Sequence, residues 1–143
     1  MFQRILVAVD PSPARHSAVR LTGELARLAG AEVRVLHVIA SAAALATVVP
    51  LEDDAEAKAV LDEAVATLHE QGVKVDGALA NGLTTQIAST IAEAAEEFGA
   101  DLIVLSPHQR GSVEALFNPR VSDAVAHASS AAILLAPKDP SDV

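Results

Sequence analysis

The sequence predicts a three-layer α/β domain in which helices cover both faces of a doubly wound, five-stranded parallel sheet. Segments typical of strands alternate with segments typical of helices along the 143 residues. The strand segments are almost continuously apolar, which is typical of strands that are buried on both faces. No linker or change of composition divides the chain, so we expect residues 1–143 to form a single domain.

The first strand and the first helix are indicated by their apolar patterns and by the turn-forming and helix-ending residues that bound them. Residues 4–10 form an apolar run that ends at Asp-Pro-Ser-Pro, which predicts a buried strand followed by a turn. Ser12 is expected to cap the first helix, with Pro13 at its first position. Apolar residues at spacings of three and four are expected to face the sheet, and they are Ala18, Leu21, Leu25 and Leu28. Gly30 is expected to end the helix.

The remaining elements follow from the same kinds of signal. A second strand is predicted at residues 32–39, and the connection that follows, 40–50, is too apolar for a free loop. Asn81-Gly82 is interpreted as a turn before the third helix. The other predicted strands are residues 73–79, 101–106 and 132–136, and the other predicted helices are residues 52–71, 84–98 and 120–128.

A ligand site is expected where the first and fourth strands end, at Asp10 and Ser106. Open α/β sheets bind ligands outside the carboxyl ends of their strands, where the strand order reverses. Asp10 has two open interpretations: it stabilises the turn and the helix start, or it hydrogen-bonds a ribose or a base. His108, directly after the fourth strand, is the histidine placed where chemistry is expected. His37 is expected in the core or at the edge of the crevice.

Several classes of function are excluded or disfavoured by composition and motif. The chain has no cysteine, so disulfides and thiolate chemistry are excluded, and a reducing cytosol is compatible with the sequence. The net charge of −9 and the scarcity of aromatic residues disfavour nucleic acid as a partner. No apolar stretch is long enough to span a bilayer, and no secretory signal is seen. Dinucleotide-binding, P-loop and common hydrolase motifs are absent.

The order and spacing of these segments resemble the universal stress protein family across almost the whole chain. The resemblance is carried by residues 5–10 with Ser12, by Leu36-His37-Val38, by Gly82 followed by Ile87, and by residues 100–105 and 132–135. It implies an adenine-nucleotide alpha-hydrolase-like sheet in strand order 3-2-1-4-5. It also implies a homodimer, often paired through the last strand at residues 132–136.

The same resemblance bears on nucleotide binding. Nucleotide-binding members carry G-x-x-G, nine residues, and then G-[ST] after the fourth strand, where glycines let the backbone approach phosphates. In this chain those positions are Ser106, Gln109, Pro119 and Arg120. Each is substituted, and proline also removes an amide donor. The segment is instead similar to the UspA-type branch, whose members are understood not to hold ATP.

The sequence therefore predicts a cytoplasmic, non-enzymatic, homodimeric stress protein that acts as a regulator or protective factor. It is expected to use no cofactor, with tight ATP or AMP binding disfavoured, and to meet a protein partner that the sequence does not identify. The alternative is a nucleotide sensor or weak ATPase that uses Asp10, Val38, Gly82 and Arg120. A third hypothesis is a small-molecule hydrolase that uses Ser106 and His108. The candidate crevice residues are Asp10, Val38, Gly82, Ser106, His108, Gln109 and Arg120.

Overall fold

The strands and helices alternate as the sequence predicts, and one additional strand is present. A computed structural model describes residues 1–44, 47–50, 53–106 and 119–137, without the side chains of 42–50 and 119–120. The strands are β1 (Arg4–Val9), β2 (Glu32–Ala44), β3 (Thr47–Pro50), β4 (Val75–Leu83), β5 (Leu102–Leu105) and β6 (Ala132–Leu135). The helices are α1 (Arg15–Ala29), α2 (Asp54–Glu70), α3 (Ile87–Phe98) and α4 (Pro119–Ala128), and a 3-10 turn at Thr84–Gln86 precedes α3.

The parallel strands form one sheet in the order β4-β2-β1-β5-β6. The central strand β1 pairs with β2 on one side and with β5 on the other. The outer pairs, β2 with β4 and β5 with β6, are also parallel. Counting the parallel strands alone in chain order, this is 3-2-1-4-5, and the prediction of the fold class is confirmed.

The apolar connection after the second strand is a continuation of the sheet. Strand β2 runs on to Ala44, and β3 pairs back on it antiparallel, with Ser41 opposite Pro50. Ser41 also pairs with Leu83 of β4. Because a strand residue has one neighbour on each side, β3 must lie on the β1 side of β2, beyond the carboxyl end of β1.

Two apolar layers hold the helices against the sheet. Side chains alternate along β1, so Ile5, Val7 and Val9 face α1 and α2, whereas Leu6 and Ala8 face α3 and α4. All five are fully buried. Each buried large side chain contributes about 1.5–3 kcal/mol. These two layers fix the positions of the helices around the carboxyl ends of the strands.

The start of α1 differs from the prediction. The helix begins at Arg15 with Ala14 at the N-cap, and no side chain caps it. Ser12 and Pro13 form turns instead, in which their carbonyl oxygens accept from the N–H groups of Arg15 and His16. Ser12 lies two residues before the N-cap, where its backbone N–H donates to Oδ1 of Asp10. The predicted stop at Gly30 is confirmed, with φ of 69°.

The predicted apolar stripe of α1 is wrong at its last member. Leu28 is 87% exposed, whereas Ala18, Thr22 and Ala26 are buried. Leu28 lies about 200° around the helix axis from Ala26, since each residue turns the helix by about 100°. The buried side of α1 is thus formed by small residues, which allows a close approach to the sheet.

The predicted turn at Asn81-Gly82 is also wrong. Both residues lie within β4, where Asn81 pairs with Ile39 and Gly82 with Ala40. The backbone pairing of β4 with the long strand β2 outweighs the local turn preference of this dipeptide. Within the part of the chain that the structure describes, no helix combines the length and apolarity needed to cross a bilayer.

Candidate functional site

Four of the candidate residues meet at the carboxyl edge of the sheet. Asp10 directly follows β1, Val38 lies on β2, Gly82 lies near the end of β4, and Ser106 directly follows β5. Val9 pairs with His37, so Asp10 is level with Val38 on the neighbouring strand. The crevice predicted between Asp10 and Ser106 is therefore a common edge to which β1, β2, β4 and β5 contribute.

The other three candidates are described less fully. Arg120 is the second residue of α4, and its side chain is outside the described residues. His108 and Gln109 lie wholly outside them.

The Asp10 carboxylate is buried and is engaged with the turn that follows it. The residue is 2% exposed, and its Oδ1 accepts the Ser12 N–H at 2.9 Å. Burial raises the pKa of Asp10, and this rise is opposed by the hydrogen bonds from Ser12 and by the charges of His37 and Arg15. Arg15 also donates to the carbonyl oxygens of Pro11 and Ser12, which fixes the same turn. These contacts are the ones expected if Asp10 stabilises the turn and the start of α1, which is the first of its two interpretations.

His37 is a buried polar neighbour of Asp10. It is fully buried, and its Nδ1 lies 2.9 Å from the carbonyl oxygen of Val9. Because a carbonyl oxygen can only accept, this hydrogen bond places a proton on Nδ1. The sequence placed His37 in the core or at the crevice edge, and the structure places it in the core beside the crevice.

Val38 and Gly82 line the α3 side of the edge. Val38 is 1% exposed and packs in the apolar layer beneath α3. A Cβ added to Gly82 would lie 2.8 Å from Oγ1 of Thr90 on α3. Glycine is thus required there for close packing of β4 on α3. Nothing in the sequence marked Thr90, because its importance depends on that tertiary contact.

The predicted turn at Asn81-Gly82 could have presented amides of the third helix to an anion, but the chain does not take that form. The turn is absent, and β4 leads directly into the 3-10 turn at Thr84–Gln86. The α-helix starts three residues later than predicted, at Ile87, with no side-chain cap at Gln86. The amides at this point therefore follow a strand and a 3-10 turn rather than an open loop.

Ser106 is buried without a hydrogen-bond partner for its hydroxyl among the described residues. It is 2% exposed. The strand alternation places it on the α1–α2 face of the sheet, as it does His37, and Val9 lies between them. Two strand spacings, about 10 Å, separate Ser106 from His37, which is too far for a direct hydrogen bond. His37 is therefore not placed to act as the base for a Ser106 nucleophile.

Metal ligands are not grouped in the described residues. Within them, no set of three or more His, Asp or Glu side chains is placed to hold a metal ion. The buried polar side chains near the described carboxyl edge are those of Asp10, His37, Ser41 and Ser106. They supply groups that can hydrogen-bond a small polar molecule.

The strand order and the polar edge define an α/β domain of the adenine-nucleotide alpha-hydrolase-like class. A model of the universal stress protein family matches residues 1–137. The chain belongs to the universal stress protein family.

Solved structures of universal stress proteins are similar along nearly the full length. A protein from Burkholderia pseudomallei is 26% identical with a TM-score of 0.72, and the match covers 94% of this chain and 96% of that one. One from Archaeoglobus fulgidus is 25% identical with a TM-score of 0.73, covering 96% and 100%. Another A. fulgidus structure, in complex with dAMP, is 25% identical with a TM-score of 0.70, covering 94% and 98%. A search of curated protein sequences finds no significant match.

Proposed function

We propose that this chain is a non-enzymatic universal stress protein of the UspA type, a regulator or protective factor that does not bind ATP tightly. The proposal extends its membership of the family. It rests on the region where nucleotide-binding members are expected to hold phosphates, since the four motif positions are substituted in this chain.

The observation that carries the proposal is that α4 begins at Pro119. The resemblance aligns Pro119 with the third glycine of the nucleotide motif. The start of a helix offers N–H groups to an anion, and proline has none to offer. The other motif positions, Ser106, Gln109 and Arg120, are substituted as well.

The state of Asp10 supports the same proposal. Its carboxylate is buried and its Oδ1 already accepts the Ser12 N–H, so little of the carboxylate surface is exposed to a ribose hydroxyl. A ligand at this position thus gains less from Asp10 than it would from an unengaged carboxylate.

Isothermal titration calorimetry with ATP, ADP and AMP, with and without Mg²⁺, tests the proposal. The A. fulgidus protein crystallised with dAMP is a suitable positive control, and dAMP should be included for both proteins. We expect no tight binding of any nucleotide to this chain. Dissociation constants in the micromolar range would overturn the proposal.

A variant in which the family motif is restored tests the proposal in the opposite direction, as a gain of ATP binding. A variant carrying Ser106→Gly, Gln109→Gly, Pro119→Gly and Arg120→Ser recreates the four family positions. It is expected to bind ATP at least about tenfold more tightly than the parent, which corresponds to about 1.4 kcal/mol. The reverse order of affinities would show that the substituted positions do not govern nucleotide binding.

The second candidate function is a nucleotide sensor or weak ATPase that uses Asp10, Val38, Gly82 and Arg120. It is favoured by the dAMP complex of a universal stress protein that is 25% identical to this chain. In that case the titration detects binding to the parent chain, and a phosphate-release assay then separates a sensor from an ATPase.

A homodimer formed through β6 is a further part of the proposal. In the described part of the chain β6 pairs only with β5, which leaves its outer edge available. Leu135 on this strand is 54% exposed. An open edge that carries an exposed leucine favours association between copies. A cytoplasmic location is also proposed, and the absence of cysteine agrees with it.

A further inference from the structure

Strand β4 forms the edge of the parallel sheet that lies opposite β6. Within the described residues β4 pairs only with β2. It has nine residues, Val75–Leu83, whereas a typical strand has about five or six. Asp76 is its only charged residue, and it contains neither the lysine nor the proline that commonly protects an exposed edge. This long and weakly protected edge can accept a further strand.

The backbone groups on the open side of β4 follow from its pairing with β2. The N–H of Val33 on β2 donates to the carbonyl oxygen of Lys74 at 2.9 Å, and Val33 is level with Val75. Because alternate residues of a parallel strand bond to the same neighbour, the even-numbered residues of β4 bond to β2. The N–H and C=O groups of the odd-numbered residues point to the open side, and these residues are Val75, Gly77, Leu79, Asn81 and Leu83.

Apolar side chains border the open side of β4 on the face covered by α2. Gly77 lies under Leu61 and Val65 of α2, where an added Cβ would be 3.0 Å from each. Leu79 is two residues further along the strand, so it lies on the same face, and it is 43% exposed. A strand added beside β4 would therefore have apolar neighbours on this face.

Acidic side chains border the opposite face, which is covered by α3. Thr90 of α3 packs against Gly82, and Glu93 and Glu97 follow Thr90 at spacings of three and seven along the same side of the helix. Both glutamates are exposed. Arg34 of β2 interacts with Glu97, but a β4 carboxylate already holds it through two hydrogen bonds of 2.8 and 3.0 Å. The α3 face of the edge thus favours a cationic neighbour.

We propose that the open edge of β4 binds an extended basic segment of a partner protein as an additional strand of the sheet. Its backbone pairs with the outward N–H and C=O groups of β4. Its side chains alternate: apolar ones lie beside Leu79, and lysines or arginines lie beside Glu93 and Glu97. A second copy of this chain is disfavoured at this edge, because antiparallel pairing of two β4 strands would place their α3 glutamates side by side.

Fluorescence anisotropy with a labelled eight-residue peptide that alternates lysine and valine tests the proposal. We expect saturable binding that weakens as salt is raised, because surface charges are screened. The matched control peptide has four lysines followed by four valines. It carries the same charge but cannot place the two kinds of side chain on opposite faces of a strand. It should bind at least about tenfold more weakly.

Methylation of the peptide backbone tests whether the peptide is added as a strand. Two versions of the alternating peptide are methylated at every second backbone nitrogen, one at the lysines and the other at the valines. Only one set of N–H groups can point to β4, so we expect one version to lose binding and the other to retain it. Equal binding of the two versions would overturn the proposal.

Proline substitutions in β4 test the same geometry from the side of the protein. Asn81→Pro removes an N–H that points outward, and Ala80→Pro removes one that bonds to β2. We expect Asn81→Pro to weaken peptide binding about tenfold with little change in urea unfolding. Ala80→Pro should instead be clearly less stable, which confirms the direction of the backbone groups.

The acidic face is tested by the double variant Glu93→Gln with Glu97→Gln, which should weaken peptide binding about threefold to tenfold. The matched control is Glu24→Gln with Asp123→Asn, which removes the same charge from exposed positions of α1, over β1, and α4, over β6. An equal loss in the two double variants would overturn the proposal. So would failure of the alternating peptide to bind, which is the outcome expected if a second copy of the chain occupies the edge.

Discussion

Oδ1 of Asp10 accepts the backbone N–H of Ser12 across 2.9 Å, within a residue that is 2% exposed. Burial raises the pKa of this carboxyl above its ordinary 3.8. The folded state thus holds the Asp10 proton more tightly than the unfolded state does. Stability falls as pH rises from about 3.8 through the folded pKa, and the loss is complete above it.

Asp10→Asn is therefore expected to be more stable than the parent at pH 7. Asparagine retains an oxygen that accepts the Ser12 N–H, and it carries no charge to desolvate. The gain should shrink as pH falls through the raised pKa of the parent carboxyl, because the carboxyl then becomes protonated. Urea unfolding at pH 4, 5, 6 and 7 measures it. Asp53→Asn is the control, because Asp53 also accepts a backbone N–H, from Glu56 at 2.7 Å, but is exposed.

Gly82→Ala is expected to destabilise the protein by about 1–3 kcal/mol, since the new Cβ meets Thr90 Oγ1 at 2.8 Å. Thr90→Ala removes that oxygen, and the next contacts of the Cβ, at 3.7 Å and beyond, are ordinary. The double variant Gly82→Ala with Thr90→Ala should therefore be about as stable as Thr90→Ala alone. Full additivity of the two losses in urea unfolding would contradict this packing account.

Gly23→Ala tests the contact between α1 and Gln71. Alanine gains about 1 kcal/mol over glycine inside a helix, but its Cβ displaces the Gln71 carboxamide. We expect little net change in the free energy of unfolding. In a Gln71→Ala background the carboxamide is gone, and Gly23→Ala should then stabilise by about 0.5–1 kcal/mol. Equal effects in the two backgrounds would show that the two residues are not coupled.

Leu135→Lys is expected to dissociate the proposed homodimer, because a charge on the edge of β6 opposes pairing with another copy. Leu79→Lys is the matched control: Leu79 is 43% exposed and lies on β4, the opposite edge of the parallel sheet. Sedimentation velocity should give a monomer for the first variant and a dimer for the second. A parent chain that sediments as a monomer would rule out the dimer itself.

The fold could be predicted because it depends on signals that are local in the sequence. Apolar runs such as residues 102–105 are buried on both faces, and Gly30 and Gly99 end their helices with φ of 69° and 76°. These features are decided within a few residues. Alternation of strands and helices then leaves few possible sheet topologies.

The predictions made from the sequence are wrong where a contact between residues far apart in the chain determines the local structure. Gly82 has the composition of a turn, but it is placed in β4 by its pairing with Ala40 and by its packing against Thr90. The extension of β2 and the strand β3 have no Gly, Asn or Asp between them to mark a hairpin. Ser12 was expected to cap α1, but the helix begins at Arg15 and Ser12 lies in the preceding turn, where its backbone N–H donates to Asp10. The candidate residues His108 and Gln109 lie outside the described chain.

Strand β3 limits the space beyond the carboxyl end of β1, where Asp10 lies. Val9 is opposite His37 and Pro50 is opposite Ser41, both on the same side of β2. The step of four residues from His37 to Ser41 corresponds to about 13 Å of strand. The main chain of β3 thus lies beyond the carboxyl end of β1, within the same sheet. A ligand at Asp10 that extends farther than this distance along the axis of β1 would meet the main chain of β3. Strand β3 therefore bounds the carboxyl edge of the sheet in the direction of β1.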